Sequence, residues 1–180
     1  MDENKNNHGL DKKFIVVMVA ASVLAVAAFV GYLYPGRGVG YAPKQPIPFS
    51  HKLHGGDRKI QCQYCHSAVD RSAHSNVPSA AVCMNCHNYV KTDSPHIKKL
   101  KEAHDSGQPI QWINVHVLPD FVYFNHQAHI ARGVSCDHCH GNVQDMEVVR
   151  QVMPVSMGWC VNCHRSQDPP APIDCSTCHR

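Results

Sequence analysis

The sequence predicts a mainly α chain with extensive loops, in which one N-terminal transmembrane helix precedes a domain with little regular secondary structure. Three observations carry this expectation. Phe14 to Tyr34 is a run of 21 residues without a charge. All ten cysteines fall in five Cys-x-x-Cys-His motifs, Cys62 to His66, Cys83 to His87, Cys136 to His140, Cys160 to His164 and Cys175 to His179. Beyond residue 34, Leu, Ile, Val and Phe supply only roughly 19 % of residues and all 12 prolines occur, a composition too poor in apolar side chains to build its own core.

The motif is a chemical instruction for covalently attached haem c. Two thiols three positions apart can add across the two vinyl groups of one porphyrin, and the next residue sets an imidazole beneath the iron. Chance placement of ten cysteines and 15 histidines predicts about 0.05 such motifs, against five present. Zinc ribbons pair Cys-x-x-Cys units, and five units leave one over; the following His adds nothing that a zinc ribbon needs. A thioredoxin-like site predicts a single Cys-x-x-Cys, and a disulfide framework does not place His after every second cysteine. Five haems c are therefore expected. Cys62, Cys65, Cys83, Cys86, Cys136, Cys139, Cys160, Cys163, Cys175 and Cys178 form the thioethers, with His66, His87, His140, His164 and His179 as proximal ligands.

Five large apolar macrocycles replace the missing side-chain core, so short helices and loops wrapped round haems are expected in place of a disordered tail. The formal charge of +3 does not point to nucleic acid. Each ferric haem with two ionised propionates adds about one negative charge, which brings the loaded protein to about −2.

In chain order, residues 1–13 are expected to be a cytoplasmic tail. Residues 14–34 follow as the anchor, because 21 residues at about 1.5 Å each span about 31 Å, the thickness of a hydrocarbon core. Lys5, Lys12 and Lys13 before the run and Tyr32 and Tyr34 at its far end orient it with the N-terminus inside. A single pass through a bacterial inner membrane then leaves the haem domain periplasmic. Ala25-Val26-Ala27 resembles a signal-peptide cleavage site, but the apolar run is longer than a typical signal and a retained anchor is favoured. Small residues at Ala21, Ala25, Ala27 and Gly31 suit close approach of partner helices. Residues 35–48, with Pro35, Pro43, Pro46 and Pro48, read as an extended linker.

The haem domain, 49–180, contains a repeat. Phe49-x-His51-x-x-His54 opens block 1 (49–90), Phe124-x-His126-x-x-His129 opens block 2 (124–180), and 91–123 connects them. Histidines at i and i+3 on one turn lie close together, so one turn can serve two irons. F-x-H-x-x-H followed by Cys-x-x-Cys-His resembles the class III, cytochrome c3-like, multihaem proteins. That resemblance implies that His51 closes the haem at Cys62 and His126 the haem at Cys136, while His54 and His129 cross to other haems.

His116, after Trp112 and ahead of the Leu118-Pro119-Asp120 turn, is the fifth distal candidate. His74 and His96 follow, together with Met153 and Met157, whose thioethers would raise a haem potential if they bound iron. The alternative for a methionine is packing against a porphyrin. His138 inside its Cys-x-x-Cys loop reads as a bystander and His8 lies in the tail. His104 shares a face with Ile97 and Leu100 on a helix begun by Ser94 and Pro95, so packing and ligation are equally open to it.

The two-block order, Trp112 through His129, and above all Val152-Met153-Pro154-Val155-Ser156-Met157-Gly158-Trp159-Cys160-Val161-Asn162-Cys163-His164-Arg165 resemble the pentahaem cytochrome c subunit of bacterial alternative complex III. This implies a menaquinol-oxidising respiratory complex, with an iron–sulfur subunit, polytopic quinol-binding subunits, a monohaem cytochrome c and a terminal oxidase as partners in the lipid bilayer, and no nucleic acid. The chain ends at Arg180, short for that family, which implies an absent or removed C-terminal extension. An electron-transfer subunit without bond-making residues is the leading expectation. The alternative is a stand-alone quinol dehydrogenase feeding a periplasmic reductase. Such tethers carry a Met shortly after the first motif, where this chain has Ser67-Ala68. A small-molecule reductase needs an iron with an open position, which a surplus of His and Met argues against.

Overall fold

A computed structural model of the chain describes residues 11–33 and 38–180. The expected tail with Lys5 and His8, the far-end Tyr34, and Pro35 to Arg37 of the linker lie outside the described residues. The chain divides into two compact units, 1–37 and 38–180.

In the first unit, helix α1 (Lys12–Leu33) covers the uncharged run up to Leu33 and starts two residues before it. It is long and apolar enough to cross a membrane.

The second unit is helical and loop-rich, as expected. A π-helical turn (Lys52–Asp57) is followed by α2 (Cys62–Cys65), α3 (Ala80–His87), α4 (Pro95–Ser106), α5 (His126–Ala131), α6 (Cys136–His140), a 3-10 turn (Val143–Asp145), α7 (Met157–Ser166) and α8 (Cys175–Cys178). Among the described residues there is no strand, only an isolated antiparallel bridge between Val122 and His179. Each cysteine pair thus sits on a helical turn, where positions i and i+3 share a face.

Local chemistry fixes the helix starts that matter. The Asn125 side chain accepts from Ala128 N–H to begin α5, and Ser156 Oγ accepts from Trp159 N–H to begin α7. Helix α4 runs from Pro95 at its first turn to a left-handed Gly107, φ 67°.

The side-chain core is small. Ile47, Met84 and Leu100 form its centre, flanked by Ala80, Ile97, Ile110 and Trp112, so α3 packs on α4. His104 lies outside this core and is exposed. Residues 38–48 hold neither helix nor strand, as expected of a linker, yet they are fastened to the domain. Gly40 N–H donates to Gln151 O, Gln151 N–H to Tyr41 O, and Gln45 exchanges two hydrogen bonds with Ile113. Ile47 is buried among the core residues, which accounts for the attachment.

Blocks 1 and 2 meet where the π-helical turn crosses the 3-10 turn. Lys52 N–H donates to Met146 O at 3.0 Å and Ser50 Oγ to Glu147 at 2.8 Å. A Cβ on Gly56 would collide with the Gln144 carbonyl, so this crossing needs a residue without one.

Candidate haem-binding site

Most motif histidines are held by the same device. Nδ1 of His66, His87, His164 and His179 lies 3.2, 2.9, 2.6 and 3.1 Å from the backbone oxygens of Asn76, Val90, Pro172 and Phe121. A carbonyl only accepts, so each Nδ1 carries the proton and each Nε2 keeps its lone pair for a metal. His54, His126 and His129 are fixed likewise, by Ser50, Ala73 and Asn125 carbonyls at 2.8, 2.9 and 2.8 Å.

These imidazoles face one another in pairs. His126 and His140 are parallel, with ring centroids 6.4 Å apart and 5° between planes. His54 and His87 stand 6.2 Å apart, and His129 and His164 5.9 Å. Two imidazoles sharing one metal ion at metal–nitrogen distances of about 2.0–2.1 Å have centroids about 6.4 Å apart, so all three gaps have the width of a shared iron. His51 lies within charge-interaction reach of His66.

The repeat is reproduced in space. Phe49 stacks on His54 (4.4 Å, 24°) and meets His51 edge-on (4.8 Å, 86°); Phe124 stacks on His129 (4.5 Å, 29°) and meets His126 edge-on (4.8 Å, 88°). One ring thus sets the planes of both histidines on its turn.

Residues 122–180, which hold three of the motifs, match the family described as cytochrome c7 and related cytochromes c. Over that stretch the chain is similar to cytochrome c7-like multihaem cytochromes. It is also 35 % identical over 128 residues to a protein of Nitratidesulfovibrio vulgaris named the multihaem cytochrome c subunit of menaquinone reductase. That alignment takes in 71 % of this chain and 57 % of the relative.

Haem c is the group this family carries, and the residues fit it. The described residues hold ten free thiols in five pairs and no disulfide. Burial is the largest cause raising the thiol pKa of Cys65, Cys83, Cys136, Cys139 and Cys160, and neighbouring cysteines add to it. Large apolar side chains stand open round the motifs, among them Phe121, 61 % exposed, and Tyr123, 54 %. Nδ1 of His51 and Nε2 of His116 are buried without a hydrogen-bond partner. Burial first, then neighbouring histidines, lower His51 and His140 to about 4, which keeps both neutral, the form that binds metal.

The remaining candidates are not gathered with these pairs. His116 packs edge-on against His140 at 4.5 Å, too close for the two to share an iron. Its pKa too is lowered by burial. Phe121 is the ring packed beside His179, at 5.7 Å. His74 and His96 are exposed; Met153 is half-buried, and Met157, at the start of α7, is 73 % exposed. His138 has a neighbour that sequence reading missed. Its Nε2 lies 3.7 Å from Cys163 Sγ, with its ring 5.9 Å from that of Trp159, so it joins the third motif to the fourth. Nothing in the local sequence signals that contact, because it spans 25 positions.

Proposed function

We propose that this chain binds five haems c and relays electrons within a membrane complex of the alternative complex III type, away from menaquinol and towards a cytochrome c or terminal oxidase. The observation that carries this reading is the set of facing imidazoles, each half of a pair coming from a Cys-x-x-Cys-His motif and the other from an F-x-H-x-x-H turn. Closed on both faces, such an iron exchanges electrons but does not bind substrate.

In this reading the ten cysteines tether the porphyrins and His66, His87, His140, His164 and His179 hold the proximal faces. His126 closes the site at His140, His54 that at His87, His129 that at His164, and His51 that at His66. Haem supplies the reversible Fe(III)/Fe(II) couple when bound. The chain sets ring orientation, excludes water and fixes which imidazole nitrogen is protonated. No residue makes or breaks a bond, so the role is electron transfer and not catalysis. The methionines near Cys160, His116, His74 and His96 are the remaining candidates for the position opposite His179.

Helix α1 supports membrane anchoring, with residues 1–13 cytoplasmic and the haem domain periplasmic. The relative's name supports a menaquinone-linked assembly. An iron–sulfur subunit, polytopic quinol-binding subunits and a monohaem cytochrome c are the partners this reading assigns.

Purification from membranes in mild detergent tests it. The expected result is a stable complex containing an iron–sulfur subunit, in which menaquinol reduces the haems of this chain. Oxidation of menaquinol by the isolated chain at a physiological rate would sink the relay reading in favour of the self-sufficient dehydrogenase.

A further inference from the structure

The two irons assigned to each F-x-H-x-x-H turn do not have equivalent surroundings. At the second histidine of each turn, both facing imidazoles donate Nδ1–H to a carbonyl: His54 and His87 at 2.8 and 2.9 Å, His129 and His164 at 2.8 and 2.6 Å. At the first histidine only one member of each set does so. His66 donates at 3.2 Å while His51 Nδ1 is buried without a partner. His126 donates at 2.9 Å, whereas His140 has no such bond among the described residues and is packed against His116 instead.

We infer that the two haems closed by each F-x-H-x-x-H turn differ in potential, with the sites at His87 and His164 lower and those at His66 and His140 higher. Donation from Nδ1 makes an imidazole more basic, and a more basic ligand stabilises Fe(III) over Fe(II). Two bonds per site therefore lower the potential more than one. Electrons on the chain accordingly rest at the sites of the first histidines and pass through those of the second.

The inference rests on the imidazole pairing proposed above, and one set of measurements separates the two. Full-length protein in detergent is titrated potentiometrically, wild type beside His51→Met, His54→Met, His126→Met and His129→Met, because a thioether raises the potential of its own iron. The expected result is that His54→Met and His129→Met each remove a wave from the low end of the titration, and His51→Met and His126→Met remove waves from the high end. The reverse assignment, or no grouping, overturns the inference. Low-spin bis-imidazole electron paramagnetic resonance signals in the wild type test the pairing alone, and their absence would sink that reading instead. If a variant fails to load haem, NMR of haem methyl groups assigned in the wild type orders the same sites without mutation, and the same order is required.

Discussion

His126 and His140 lie parallel across a 6.4 Å gap, although they come from opposite ends of a segment in which only one of them belongs to a Cys-x-x-Cys-His motif. His126→Ala should empty one face of that site and leave its covalent attachment through Cys136 and Cys139 intact. The expected outcome is unchanged haem content with carbon monoxide binding raised by a single equivalent per chain over wild type. Loss of the haem itself would show that His126 serves folding and not ligation.

Phe124 fixes both imidazoles on its turn, so its removal should disturb two sites at once. Phe124→Leu keeps an apolar side chain but removes the flat face, with an expected cost of about 1–2 kcal/mol, below the full Phe-to-Ala range because the site is half-buried. Two low-spin resonance signals should shift together. A shift in one signal alone would contradict the shared clamp.

Gly56→Ala tests the joint between the blocks. A methyl there meets the Gln144 carbonyl, and backbone cannot move aside as a side-chain tip can, so the variant should lose about 1–3 kcal/mol in denaturant unfolding. Gly107→Ala strains a different place, a helix end in open space, and leaves the block joint intact. Interaction between the His66 and His140 haems in redox titrations should therefore weaken in the first variant and not in the second.

Asn125→Ala removes the cap that starts the second histidine turn and should cost about 1 kcal/mol, while Asn125→Asp, which keeps the acceptor oxygen, should restore most of it. A thermal melt followed at the haem absorbance band measures both.

A chain beginning at Gly38 should be water-soluble and fully loaded, since residues 38–180 form a compact unit of their own. Detergent-dependent solubility of that shortened protein would place further membrane contacts in the haem domain.

Ligand spacing within a motif was legible because it is a local rule: two thiols on one turn and an imidazole beside them need only consecutive residues. Helix α1 was legible for the same reason. The pairing was only partly so. His54 and His129 were expected to cross to other haems. The rings they face, those of His87 and His164, lie 33 and 35 positions along the chain, and the turn that carries His129 is held by Ser72 and Ala73 carbonyls more than 50 positions away. His116 was expected to be the fifth distal ligand; it packs edge-on against His140, a contact between two half-buried rings. No periodicity encodes that contact. The 38–48 segment read as part of an extended linker because prolines exclude helix; the hydrogen bonds that fasten it come from Gln151 and Ile113, far along the chain.

The side-chain core of residues 38–180 centres on Ile47, Met84 and Leu100, which is too little to hold a chain of this length folded. On the proposed five-haem loading, the porphyrins would supply the rest of the interior. A copy that lacks one of them should therefore be less stable, and more open to proteases, than a complete one. The cofactors would then serve as a folding requirement as well as a conductor.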